Sequence, residues 1–173
     1  MTEKREIKGT LGRYKRGAEF IRASIKNLSS EKLHDHPISG KWSVAECICH
    51  IVDFEIVLAD RMKRIIALYN PLLIGADENE FTKKLCYARR DIELEVNLYD
   101  LIRKQMITIL ESLAQKDFEK TGVHNEKGKV TLWDYLLHTC WHTEHHLKFI
   151  GDKRIAMGLN RGDIPKTHDC RYC

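Results

Sequence analysis

No apolar run in this sequence approaches the roughly 18 residues that a membrane-spanning helix needs, so no membrane partner is expected. The opening residues, MTEKREIKGTLGRYKRG, are charged throughout and carry no signal-peptide pattern, which points to the cytoplasm. Strand-like alternation of apolar and polar residues is missing, and so is any internal repeat. The net charge is only +4, and the lysines and arginines form no basic stripe or recognition-helix motif, so nucleic-acid binding is not expected. The cysteines are even in number at six. Cys47, Cys49 and Cys140 nevertheless sit inside helical patterns, where buried thiols are common, and a reduced intracellular protein fits better than a disulfide framework.

What is present is helical periodicity. At 173 residues, 43% of them hydrophobic, the chain can bury one substantial core. Ile7, Leu11, Tyr14, Ala18, Ile21, Ile25 and Leu28 recur at spacings of three and four and predict a first helix over about 5–28. A loop follows, holding His34 and His36 as exposed residues. The second helix opens at KWSVAECICHIVDFE, with Ser43 and Glu46 as a capping box and Trp42 with Cys47 as a hydrophobic staple. Its apolar stripe runs from Val44 to Tyr69, and Glu55 stands on that stripe where a leucine would be expected. Such a carboxylate reads most simply as an inter-helix salt bridge, to Arg61 or another charge of the bundle. Asp53 follows His50 by three and can sit beside it.

From Asn70 to about Arg90 the rhythm weakens, and PLLIGADENE reads as loop before a short helix at FTKKLCYARR. A connection of about 20 residues can cross the length of a bundle, so the second and third helices need not be antiparallel neighbours. The third helix runs from Ile92 to near Gln115. TGVHNEKGK is then a turn with His124 exposed, and Thr131 caps the fourth helix with Asp134 at its third position. Gly151 is expected to end or break that helix. The division is a bundle over 1–156 and a tail over 157–173 that carries the C-x-x-C pair Cys170 and Cys173. A structural zinc site would want a second such knuckle, which the sequence lacks, so the tail is expected to be flexible.

The fourth helix concentrates the chemistry. Its stretch WDYLLHTCWHTEHHLKFI carries His138, His142, His145 and His146 out of nine histidines in the chain. Positions four apart share a face, and imidazoles so placed can hold one metal ion. No glutamate follows His142, so this is not the H-E-x-x-H helix of a zincin, and a third ligand must come from elsewhere. The helix is apolar around most of its circumference, and stacked histidines buried there need partners for their donors and acceptors. With His50 from the second helix, His142 and His146 would make a three-imidazole site with coordination positions left open, as catalytic sites have.

W-S-x-x-E-x-x-x-H-x-x-D-x-E from Trp42 to Glu55, the long middle connection, and H-x-x-x-H-x-x-H-H-L from His138 to Leu147 resemble the DinB-like/YfiT-like superfamily. The resemblance covers about residues 11–154. It implies an all-α, metal-binding four-helix bundle in up-down-down-up order with a long crossover between helices two and three, often a homodimer. It implies His50, His142 and His146 as ligands of a divalent ion, zinc or nickel, and metal-dependent hydrolase or thiol S-transferase chemistry. A low-molecular-weight thiol is then a candidate co-substrate beside a small-molecule substrate. Glu55 or Asp53 would orient a ligand histidine or move a proton. His138 would support the site from one turn away, and His145 would point to the flank. The competing reading is a non-catalytic stress-response or scaffold bundle, with a structural metal or a polar histidine network.

Overall fold

A computed structural model describes residues 4–162; Cys170, Cys173 and His168 of the expected tail lie outside the described residues. The first apolar stripe folds as two abutting helices rather than one, α1 (Lys4–Lys15) and α2 (Gly17–Ile25). The joint falls where the chain passes closest to its neighbours. A Cβ at Gly17 would come within 2.5 Å of the Tyr99 hydroxyl and also meet the Arg103 guanidinium, so only glycine fits there. A one-turn helix, α3 (Ser30–His34), is capped by the Ser29 side chain.

The long helix α4 (Val44–Ala67) starts at the capping box that its sequence announces: Glu46 N–H donates to Ser43 Oγ at 3.1 Å, and Ser43 N–H donates to the Glu46 carboxylate at 2.6 Å. The crossover that follows contains a two-residue strand, β1 (Leu72–Leu73), the helix α5 (Glu78–Lys84) and a 3-10 turn at Tyr87–Arg89. Asp91 accepts from Glu93 N–H and Leu94 N–H to start α6 (Ile92–Glu111), which ends four residues short of the expected Gln115. A second 3-10 turn leads into β2 (Thr121–His124) and β3 (Gly128–Thr131), and Thr131 also caps α7 (Leu132–Ala156), in a capping box with Asp134.

Cross-helix contacts fix the directions. Asp53 meets Arg90 and, ten residues on, Lys63 meets Gln105, so α4 and α6 run parallel. His50 meets His142, and the Arg61 guanidinium lies over Tyr135, so α7 runs antiparallel to α4. Arg13 pairs with Glu144 and Arg154 with the end of α2, so α7 runs parallel to the first helix. The order is up-down-down-up, and residues 68–91 carry the chain back along the bundle as the parallel α4–α6 pair requires.

Two further features depart from the sequence expectation. The stretch TGVHNEKGK is a β-hairpin, not a turn: β2 pairs antiparallel with β3 and parallel with β1, through Leu72 with Val123 and Leu73 with His124. Pairing across 50 residues is invisible to local periodicity, and it buries His124 to 4% exposure where an exposed side chain was expected. Helix α7 also continues past Gly151 to Ala156. A glycine inside a helix costs about 1 kcal/mol, but Lys153 and Arg154 beyond it are buried, and Arg154 donates to the carbonyls of Ser24 and Lys26 at the end of α2. Among the described residues no helix is long and apolar enough to cross a membrane.

The interior holds two apolar clusters. One gathers Tyr14, Leu58, Met62, Met106 and Leu136; the other Ile21, Ile48, Val96, Tyr99 and Leu147. Between them lies a buried polar layer. Glu55 accepts from Tyr14 Oη at 2.6 Å and from Arg103 Nη2 at 2.8 Å, while Arg103 also donates to the Tyr14 carbonyl and to Thr143 Oγ1. The guanidinium is sandwiched between the Tyr14 and Tyr99 rings, 4.1 and 4.5 Å from their centroids.

Candidate metal centre

Helix α4 presents His50 one residue from its apolar stripe, and antiparallel α7 presents His142 and His146 one turn apart opposite it. All three imidazoles are buried, and one nitrogen of each lies within 4.8 Å of the others. The Nε2 atoms of His50 and His142 face each other at 3.0 Å. The ring of His146 closes the triangle, its centroid 4.3 Å from that of His50 and 4.6 Å from that of His142. Three imidazole nitrogens on one tetrahedral ion at 2.0–2.1 Å would stand about 3.3 Å apart, so the cluster has the size that an ion needs.

Protonation agrees with that donor set. Burial, before any charge, pushes His50 down to about 4, against a smaller upward pull from Asp53. Burial and then the His50 ring push His146 down to about 2, and burial with the neighbouring imidazoles drives His142 well below its ordinary range. At neutral pH all three are unprotonated, as metal ligands must be. Two buried ring atoms, Nδ1 of His50 and Nδ1 of His146, have no hydrogen-bond partner among the described residues. Such orphaned capacity is costly unless something fills it. The donor chemistry and the spacing fit a divalent cation.

Aromatic rings fence the cluster. Trp42 stacks on His146 at 6.3 Å and tilts over His50 at 4.9 Å, and Phe54 stacks on His142 at 5.5 Å. His142 and His146 open on a cavity of about 800 Å³ that runs along α4 and α7 to the β-hairpin, with His138, His145, Arg61 and His124 also in its lining. His138 lies one turn from His142, its ring 6.1 Å away, and His145 stacks on Trp141 at 4.5 Å.

Neither carboxylate expected to support the triad touches it. Glu55 belongs to the buried layer, engaged by Arg103 and Tyr14. Asp53 receives both Nη atoms of Arg90, at 2.8 and 2.9 Å, and Arg90 also binds Glu95. A helical stripe shows which face a residue shares but not which partner a carboxylate will take from another helix. Arg61, offered as the salt-bridge partner of Glu55, instead donates to the Ile74 carbonyl and lines the cavity. Its place on the apolar stripe between Leu58 and Ile65 was the sign that it is buried, and burial of His124 had no local sign at all.

The sequence model of the DinB superfamily matches residues 13–150. The chain belongs to the DinB superfamily. The DinB relatives include a protein of Bacillus licheniformis, named provisionally as a metal-dependent hydrolase, which is 26% identical over 159 residues, 91% of this chain and 90% of its own. A second, from Oceanobacillus iheyensis and named in the same provisional way, is 28% identical over 131 residues, 76% of each chain. Among solved structures, YfiT from Bacillus subtilis, described as a probable metal-dependent hydrolase with an unusual four-helix bundle topology, superimposes with a TM-score of 0.86 over 92% of both chains at 18% identity. The shared DinB fold thus extends to the order of the four helices.

Proposed function

We propose that this protein is a metal-dependent hydrolase whose divalent ion, zinc or nickel, is held by His50, His142 and His146. The observation that carries the reading is the convergence of three buried, unprotonated imidazoles from two helices, two of them, His142 and His146, on the wall of a cavity. The provisional naming of its relatives as metal-dependent hydrolases supports the same class. A cation held there would acidify a water or thiol entering the cavity and so supply a nucleophile at neutral pH. The chain's own contribution is to bind and orient. Trp42 and Phe54 hold the ligand rings in place and keep bulk water from one side of the triad. With Asp53 and Glu55 engaged elsewhere, proton transfer falls to the imidazoles that share the cavity, His138 and His145.

A volume of about 800 Å³ also favours a low-molecular-weight thiol bound beside a small-molecule electrophile, which makes thiol S-transfer the second reading. Free Cys47, Cys49, Cys86 and Cys140 support a reducing, cytoplasmic setting. The exposed leucines Leu94, Leu98 and Leu101 on one face of α6 support the homodimer that the sequence resemblance implies.

Emission spectrometry on the purified protein tests the site. One ion per chain is expected in the wild type and essentially none in His142→Ala, with hydrolysis of activated esters, or conjugation of a thiol to 1-chloro-2,4-dinitrobenzene, lost in parallel and on chelation. A well-folded wild type without metal, or equal metal content in the variant, overturns the assignment. Metal with no turnover of either kind favours the non-catalytic bundle.

A further inference from the structure

The far end of the cavity holds a cation with no counter-ion among the described residues. Arg61 stands 11 residues after His50 on α4, so about 16 Å of helix separates them. The residue is more than nine-tenths buried, its Nε has no hydrogen-bond partner, and it forms no ion pair among the described residues. Its contacts include the Ile74 carbonyl and Tyr135, over whose ring the guanidinium lies. Burying an arginine is costly unless its donors are met: Arg103 has Glu55, and Arg154 donates to the carbonyls of Ser24, Lys26 and Asn160 and to the Asn160 side chain, whereas Arg61 has far fewer acceptors.

The groups around it are donors. Nδ1 of His124 accepts from Glu126 N–H at 3.2 Å and Lys127 N–H at 3.3 Å, which fixes the ring proton on Nε2. Arg61, His124, Lys127 and His138 line both the large cavity and a recess of about 30 Å³ that adjoins it. Burial first holds His124 and His138 below their ordinary range; the charges of Arg61 and Lys127 add to it, and Glu126 opposes it at His124. Two carboxylates border the region. Asp134 is engaged by the Thr131 N–H in its capping box, and Glu126 is an exposed side chain packed against Gly75.

We propose that Arg61, together with the Nε2–H of His124, binds an acidic group of the substrate, a carboxylate or phosphate, while the scissile group lies at the histidine triad. The substrate class is then an elongated acid with its reactive bond two to three helical turns from the anion. The guanidinium offers a planar fork that suits either group, and the aromatic and aliphatic side chains between the two ends of the cavity suit the apolar body that joins them.

This proposal rests on the reading of the cavity as a substrate site, and its test is arranged to fail separately. The full chain is stripped of metal with chelator and titrated with propionate and with inorganic phosphate, while the ring protons of His124 and His138 are followed by NMR. Saturable shifts with at least one anion are expected, and Arg61→Gln should weaken binding roughly tenfold or more. The tighter of the two anions identifies the acidic group. Because no metal is present, a result here is independent of the metal content measured above. Circular dichroism checks the fold of the variant. If Arg61→Gln is not helical, Arg61→Lys takes its place; it keeps the charge and loses the fork, so a several-fold weakening is expected. Absence of saturable shifts with both anions, or unchanged affinity in the folded variant, overturns the proposal.

Discussion

Replacing Glu55 by glutamine separates a structural from a catalytic role for the carboxylate that stands on the core stripe of α4. Glu55 and Arg103 are both nearly inaccessible, with side-chain exposures of 1% and 2%, and their 2.8 Å contact joins two helices through the middle of the bundle. Burial, reinforced by the neighbouring carboxylate, pushes the Tyr14 phenol far above its ordinary range, so it remains a donor to Glu55 at any working pH. Removing one partner of a buried pair leaves the other charge uncompensated and costs about 3–5 kcal/mol. Glutamine keeps an acceptor, so Glu55→Gln should fall near the lower figure, about 3 kcal/mol, and Arg103→Met near the upper, about 5 kcal/mol. At about 2–4 °C per kcal/mol for a domain of this size, the melting temperature should drop by roughly 6–20 °C. The pair Glu55→Gln with Arg103→Met removes both charges together and should cost less than the sum of its single variants, with a coupling of about 2 kcal/mol.

Urea unfolding followed by circular dichroism gives each free energy, and zinc titration gives the metal affinity of the same proteins. The expected pattern is a large loss of stability with zinc affinity in Glu55→Gln unchanged. Losses below about 1 kcal/mol in both single variants, or strict additivity in the double variant, would refute the assignment of a coupled buried layer. Weakened zinc binding at unchanged stability would return Glu55 to the metal site.

Two further perturbations read the same interior. Gly17→Ala places a Cβ against Tyr99 and Arg103, the two groups that hold the layer on the side of the first helix, and should destabilise by about 1–3 kcal/mol in urea, as overpacking does; a neutral or stabilising result would mean that the α1–α2 joint yields freely. For His138, burial holds the folded imidazole at about 4 against an ordinary value near 6.5, so between those pH values the unfolded chain binds the proton and the native one does not. Stability contributed by the neutral ring is therefore complete above pH 6.5 and is lost as the pH falls toward 4. With chelator present, His138→Gln should show a shallower fall of the urea midpoint across that window, and superimposable pH profiles would refute the burial argument.

How far the sequence carried each of these conclusions depended on the distance over which the physics acts. The starts of α4 and α7 were legible because a capping box is complete within four residues, and Ser43, Glu46, Thr131 and Asp134 all form the bonds that their spacing implies. His142 and His146 were legible as a pair because one helix turn holds them together whatever surrounds it. His50 needed more, since helical spacing placed it at the edge of the core and only the resemblance to a metal-binding bundle set it opposite that pair. The hairpin failed for the opposite reason. Strands of two to four residues are too short to show a period, and what buries His124 is a partner strand some 50 residues earlier.

Glu55 lies between these cases, and its partner was within reach. A buried carboxylate requires a buried cation, and Arg61 is the nearest arginine on its own helix, but a pair on one helix cannot hold two helices together. Arg103 stands four residues after Tyr99 and three before Met106, on the apolar stripe of α6. A lone charge at a core position of one helix is anomalous, whereas two opposite charges at core positions of different helices explain each other. By the same reasoning Arg61, also at a core position and with no acid opposite among the described residues, is an anomaly that the fold leaves open, and a substrate's acidic group is what would complete it.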